Sequence, residues 1–270
     1  SRMLSMNDAH IYCTLDQVAE EVASNVRMVQ DYYSAFGFED YSFRLSLWDP
    51  EKTSKYIDQP ENWASTQDRL RSIMDGLGVD YVEAVGEAAF YGPKVDIQFR
   101  TALGREESMS TIQLDFAAKE RFGLSYMDET GSENGEVLVI HRAPLSTHER
   151  FVAFLTEHWM GNFPTWLSPT QVQIITISER HAEHAAKVAL DLRERGVRVS
   201  LDDSDSTIGR KIRTHRKMRP AYMLIIGEEE AENGTVSIRA RNGDQRNDVL
   251  LGDFIDGIVE EINSRSPSMN

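Results

Sequence analysis

The chain has 270 residues, 40% hydrophobic and 27% charged, with a formal net charge of −15. That balance belongs to folded globular domains and excludes fibrous repeats and long disordered tracts; at about 150 residues per domain the length accommodates two. The single cysteine, Cys13, rules out an internal disulfide, no run approaches the apolar length of a membrane helix, and Ser1–His10 lacks the basic-then-apolar order of a secretory signal, so a cytoplasmic protein is expected.

Along 16–36, Val18, Val22, Val26, Val29 and Tyr33 recur at steps of three and four and Gly37 follows, which predicts a helix with a glycine stop. Tyr41, Phe43, Leu45 and Leu47 alternate with polar residues and predict a strand over 40–47. Val95–Arg100, Ser110–Phe116 and Val137–Ile140 read the same way. Strands this frequent, with one or two helices between them, predict a largely antiparallel sheet carrying its helices on one side. Thr147–Trp159, with Phe151, Phe154, Leu155 and His158 at helical spacing, closes a first domain, 1–167.

Past Pro164 and Pro169 the pattern turns to alternating strands (Val172–Ile177, Val197–Leu201, Tyr222–Ile226, Val236–Ala240) and helices (Glu179–Arg195, Ile208–Lys217, Phe254–Ile262). This predicts a small α/β domain over 168–270. Within it, GRKIRTHRKMRP carries Arg210, Lys211, Arg213, Arg216, Lys217 and Arg219 with no acid. Such a run is either a solvated helix face or a local surface for nucleic-acid phosphate, which an acidic chain can still possess.

HRAPLSTHERF, 141–151, sits between an apolar strand and an amphipathic helix, so its side chains emerge where helix N-terminal amides also point. Arg150, a cation in that helix's first turn, opposes the helix dipole; it either meets an anion or is a solvated surface arginine. His10 and His141 each fall near a strand end, as metal ligands or as two unrelated histidines. Cys13 follows His10 by three positions, which in a strand puts the two on opposite faces and reads as a buried structural cysteine.

HRAPLSTHERF resembles motif 3 of the class II aminoacyl-tRNA synthetases in its threonyl form. NDAHIYC (7–13), AFYGPKVD (89–96), TIQLDF (111–116) and FPTWLSPTQV (163–172) are similar to threonyl-tRNA synthetase segments in the same order. The resemblance implies an α+β class II catalytic domain built on an antiparallel sheet, present in part, then a small α/β anticodon-binding domain. Motif 1 at the dimer interface and most of motif 2 would lie before Ser1. It also implies threonine–tRNA ligase activity: ATP, with Mg2+, activates threonine to threonyl-adenylate, and threonine passes to tRNA(Thr). The parent enzyme would be a homodimer, with neither DNA nor membrane as partner.

Residue by residue, the resemblance assigns zinc to His10 and His141, with a cysteine upstream of Ser1 as third ligand. Asp8 and Tyr91 would hold the amino group, Lys94 would meet developing negative charge, and Gln113 and Thr147 would line the substrate pocket. Arg150, with Gln113, would bind ATP, the guanidinium stacking on adenine. A zinc with three protein ligands keeps a position open, and threonine's hydroxyl can ligate it where valine cannot. Tyr91 as core, Lys94 as a turn lysine and Gln113 as a cross-strand partner are the structural alternatives. Ser146 stands where the family has glycine, and Glu107 and Ser108 where tryptophan and glutamine are frequent.

The second domain resembles the family's anticodon-binding domain through IGRKIR, PAYMLIIGEEE and VSIRARNGD. Glu230 and Arg239 fall where bases are read, Asp205 replaces a common asparagine, and Lys211 and Arg213 are expected to meet phosphate. Two other readings stay open. One is a non-catalytic tRNA-binding or regulatory module derived from a synthetase. The other is a zinc hydrolase on His10 and His141, which would lack the close HExxH pairing.

Overall fold

The computed structural model describes residues 2–52, 54–101 and 104–266. They divide into two compact units, Ser1–His158 and Trp159–Asn270.

The first unit runs β1 (Ala9–Cys13), α1 (Val18–Phe36), β2 (Tyr41–Leu47), α2 (Pro60–Leu77), β3 (Tyr81–Val85), β4 (Lys94–Arg100), β5 (Glu106–Asp115), α3 (Ala118–Phe122), the two-stranded β6 (Tyr126–Met127) and β7 (Glu133–Asn134), β8 (Leu138–Ala143) and α4 (His148–His158). Six strands form one sheet in the order β1-β8-β5-β4-β2-β3. All neighbours are antiparallel except β2 and β3, which run parallel. A parallel pair needs a crossover, and α2 supplies it.

Helix α1 buries Val18, Val22, Val26, Val29 and Tyr33 on one stripe and stops at Gly37, whose φ of 74° is the left-handed conformation that favours glycine. It packs on β5, β8 and α2. Helix α2, not anticipated from the sequence, begins at Pro60 and buries Trp63, Thr66, Gln67, Leu70, Ile73 and Met74. Two of those six are polar, so its apolar period is broken. Edge strand β3 was also missed as an element; one flank of an edge strand stays open, and Val82 and Val85 of β3 are exposed. Along β4 the alternation is strict: Val95, Ile97 and Phe99 join the core beneath the helices, while Lys94, Asp96 and Gln98 take the other face.

The second unit runs β9 (Val172–Thr176), α5 (Ala182–Glu194), β10 (Val199–Asp202), α6 (Ile208–Arg216), β11 (Tyr222–Ile226), α7 (Glu228–Asn233), β12 (Thr235–Ala240), β13 (Gln245–Leu250) and α8 (Leu251–Ser264). The sheet order is β10-β9-β11-β12-β13, parallel through β10, β9 and β11 and antiparallel beyond. One face packs Val172, Ile174, Leu224, Ile226, Val236 and Ile238 against α5 and α8. The other sets Ile175, Met223 and Ile225 against Ile208 and Ile212 of α6. The polar strand β13 (QRNDVL) has no apolar alternation and gave no sequence signal.

Candidate functional sites

Strand pairing in the first unit lines up residues that are far apart in sequence. His10 of β1 lies opposite His141 of β8, His141 opposite Gln113 of β5, Gln113 opposite Lys94 of β4, and Lys94 opposite Ser46 of β2. Directly opposed residues share a face, so these five form a row across the sheet. Two positions along each strand a second row follows on the same face: Ala143, Thr111, Asp96 and Arg44. The opposite face is the apolar one under α1.

At one end of the first row the His10 and His141 rings stand edge to face, with centroids 4.4 Å apart. Asp115 fixes His141: its Oδ2 lies 2.9 Å from His141 Nε2, while its Oδ1 accepts the Ala117 and Ala118 N–H groups at 2.8 Å. A carboxylate that is itself anchored holds an imidazole in one orientation and tautomer, as metal-binding histidines require. The donor chemistry therefore fits zinc, for two of its ligands. Among the described residues no group of three His, Cys, Asp or Glu side chains could hold a metal. Cys13 does not complete the set. It is buried on the other side of β1 from exposed His10, and burial, then the charges of Glu21 and Asp16, push its thiol up to about 11.

Tyr91 reaches the row from the turn before β4. Its hydroxyl donates to Gln113 Oε1, and its ring centroid is 5.2 Å from that of His141. Burial, then the nearby charges of Asp115 and Asp8, raise its phenol pKa, so it stays a neutral donor. This placement depends on Gly92: a Cβ there would lie 1.8 Å from the Leu114 carbonyl oxygen, so any larger residue would lift the turn off β5.

Lys94 and Arg44 share one carboxylate. Asp96, fully buried, accepts from Lys94 Nζ at 2.8 Å, Arg44 Nη2 at 3.0 Å and Ser46 Oγ at 2.7 Å. Asp96, Asp115 and Arg44 were not among the candidate residues expected from the sequence. The Lys-x-Asp alternation in β4 was available as a signal for Asp96; nothing local marks Arg44, which only pairing brings to Asp96.

Arg150 opens α4 apart from these rows. Its Nη2 is 2.9 Å from Glu107 Oε2, its Nη1 3.3 Å from Ser146 Oγ, and its backbone N–H donates to Thr147 Oγ1 at 3.3 Å. Thr147 thus caps the helix with its hydroxyl. Ser146 has φ of 53°. This is the left-handed conformation that favours glycine, so the serine bears the strain.

In the second unit Ser237 and Arg239 of β12 lie on the face shared with α6, beside Met223 and Ile225 of β11. The Glu230 carboxylate accepts from the Gly227 N–H at 2.9 Å and from the Ser237 hydroxyl at 2.7 Å. Burial pushes its pKa up, but the Ser237 hydroxyl and the Gly227 amide outweigh this, and the net shift is downward. Asp205 is exposed in the loop between β10 and α6.

The basic helix does not present itself as the sequence suggested. Lys211 is buried, 2% exposed, and its ammonium donates to Thr176 O at 3.0 Å, Thr176 Oγ1 at 3.2 Å and Asp202 O at 3.4 Å. It cannot be a phosphate contact, because the helix face that packs on β9 is the one carrying residues 208, 211 and 212. Arg213 is exposed. Instead, Arg239 shares a cavity of about 450 Å³ with Arg216, Arg219, Arg241 and Gln245, and no acid lines it among the described residues.

The tRNA synthetase class II core domain (G, H, P, S and T) matches residues 1–159, and the anticodon binding domain matches residues 171–261. Threonine–tRNA ligase of Bacillus velezensis is 50% identical over 262 residues, covering 96% of this chain and 40% of that protein. Threonine–tRNA ligase 1 of Bacillus subtilis is 48% identical over 262 residues, with the same coverage. The chain thus spans about two fifths of the length of these curated relatives. A crystal structure described as the RNA binding domain of threonyl-tRNA synthetase from Cryptosporidium parvum superposes with a TM-score of 0.86 at 35% identity, covering 98% of this chain and 64% of that one. With the core family matching more than half of the chain, and the fold and the row of polar residues in place, the chain belongs to the class II tRNA synthetase core family of the G, H, P, S and T group, joined to an anticodon binding domain.

Proposed function

We propose that the chain forms the later part of the catalytic domain (1–167) and the anticodon-binding domain (168–270) of a cytoplasmic threonine–tRNA ligase, homodimeric in its full form. The observation that carries this reading is the row His10, His141, Gln113 and Lys94, drawn from four strands onto one face, together with relatives named threonine–tRNA ligase. Activation is an in-line attack of the threonine carboxylate on the α-phosphate of ATP, so the protein's task is to position reactants and neutralise charge.

In this reading Asp8 and Tyr91 hold the substrate's amino group, the tyrosine as a neutral hydroxyl kept in place by Gln113. Lys94 meets charge developing at the phosphate. Arg150 must exchange Glu107 for the nucleotide, stacking on adenine, with Gln113 and Thr147 completing the pocket wall. His10 and His141 would hold a zinc ion with a third ligand from outside this chain. That ion would accept the threonine amino and hydroxyl groups, and so refuse valine. In the second domain Arg239, Glu230 and Asp205 read anticodon bases, while Arg216, Arg219 and Arg241 take the phosphates in place of Lys211.

Binding of non-hydrolysable threonyl- and valyl-adenylate analogues to the chain by calorimetry tests the first part, and RNA hairpins with matched and altered anticodons test the second. Lys94→Ala should weaken the threonyl analogue, and Arg239→Ala should cost about 1–3 kcal/mol and lower the ratio of matched to altered affinities. Equal binding of both analogues, with no effect of Lys94→Ala, would sink the catalytic reading; an unchanged ratio for Arg239→Ala would sink the anticodon reading.

A further inference from the structure

The second row of the polar face carries more positive charge than its own carboxylate neutralises. Asp96 is 0% exposed, and the two cations bound to it, Arg44 and Lys94, have side chains 24% and 16% exposed. Two cations on one buried acid leave an excess of one positive charge, with the acid beneath and the cations toward the open side. Arg44 donates only through Nη2, to Asp96 at 3.0 Å and Ser108 Oγ at 3.4 Å. Its Nε is buried, out of a ligand's reach, and Nη1, which has no partner among the described residues, is the donor left for one. A guanidinium with unused donors, held by a buried carboxylate, is preorganised for an anion. An ordinary structural ion pair would have balanced charge and satisfied donors.

Position along the strands says which part of a ligand would meet it. Strand β8 runs from His141 in the first row to Ala143 in the second, then into the 144–147 segment and Arg150 at the start of α4. Arg44 therefore lies one row beyond His141 and Lys94 in the direction of Arg150. Under the reading above, threonine sits at the histidine row and adenine at Arg150, so the phosphates lie between them. We propose that Arg44 is a phosphate-binding residue of this site, contacting the polyphosphate of ATP, and that Asp96 is the positioning residue holding Arg44 and Lys94 side by side. The inference rests on that reading of the site.

The test compares inorganic tripolyphosphate, ATP and adenosine binding to the full chain and to its Arg44→Gln, Arg44→Lys and Arg150→Ala variants by calorimetry. In parallel, 15N-labelled arginine spectra of the unmodified chain follow the Arg44 side-chain signals as tripolyphosphate is added. Arg44→Gln should weaken tripolyphosphate and ATP about tenfold, the loss of one charge-assisted contact, and leave adenosine unchanged. Arg44→Lys should recover most of that loss, which a packing role would not produce. If Arg44→Gln binds tripolyphosphate as the unmodified chain does while Arg150→Ala still weakens ATP, the Arg44 inference fails and the site reading stands. If neither ATP nor adenosine binds the unmodified chain, both fail. Should Arg44→Gln not fold, the arginine spectra decide: an Arg44 shift that saturates with tripolyphosphate supports the inference, and an unmoved signal overturns it.

Discussion

Replacing Lys211 by alanine separates a structural cation from a nucleic-acid contact. The side chain is buried, and its ammonium donates to two oxygens of Thr176 and one carbonyl of Asp202. Alanine removes three methylenes from the interior, worth about 2.4 kcal/mol at 0.8 kcal/mol each. It also leaves the Thr176 carbonyl and hydroxyl without their donor, adding about 1 kcal/mol, while release of a buried ammonium to water offsets part of the total. The net expectation is a loss of about 2–4 kcal/mol, and in a domain of about 110 residues this lowers Tm by about 10 °C or more. Differential scanning calorimetry reads that shift. In RNA titrations against salt, below the variant's melting range, the slope should match that of the unmodified chain. Arg216→Ala should instead flatten it by about 0.7–0.9, the contribution of one phosphate contact. A Lys211→Ala chain that melts like the parent but loses one contact's worth of salt slope would show that Lys211 faces the RNA and that its burial has been misread.

Cys13 should resist alkylation: its thiol moves from 9.0 to about 11, so the thiolate fraction at pH 8 falls about a hundredfold, and iodoacetamide should label it at least that much more slowly than free cysteine; labelling at the free rate refutes this. Ser146→Gly should stabilise the first unit by about 0.5–1 kcal/mol, the relief of a left-handed serine less glycine's extra freedom when unfolded; a lower Tm would show that the Ser146 contact to Arg150 outweighs the strain. Glu230 titrates below its ordinary range, so its contribution to stability is present above the unfolded value of 4.5 and is lost as pH falls through the depressed folded value. Urea midpoints should therefore show Glu230→Gln less stable than the parent at neutral pH and equal to it in acid, and a gap that persists in acid contradicts the assignment.

Much of the architecture was legible because it is written in local periodicity. Val18 to Tyr33 mark one buried helical stripe and Gly37 its end; Val95, Ile97 and Phe99 mark the buried face of β4. The two-part organisation, antiparallel sheet first and α/β unit second, follows from the same patterns. Elements with mixed or polar faces were not legible. Helix α2 buries Thr66 and Gln67 beside Trp63 and Leu70, and β13 packs as an edge strand with hardly an apolar residue. In both, tertiary contacts decide the conformation and local propensity does not.

The candidate sites divide along the same line. The sequence by itself determined which residue types are present and which side of each strand they take, because side-chain direction in a strand depends only on local alternation. Thus His10 and Cys13 had to part, and Lys94 and Asp96 had to lie together. Only the tertiary structure decided that His141 stands opposite His10, that Arg44 joins Asp96, and that Asp115 holds His141, because strand register is set by pairing between segments that local alternation does not connect. The basic helix shows the remaining gap: six cations among residues 210–219 do not by themselves say which one will face inward. Burial chose Lys211, whose position meets β9 and whose ammonium finds two oxygens of Thr176 and one of Asp202, while Arg216 and Arg219 line the cavity around Arg239.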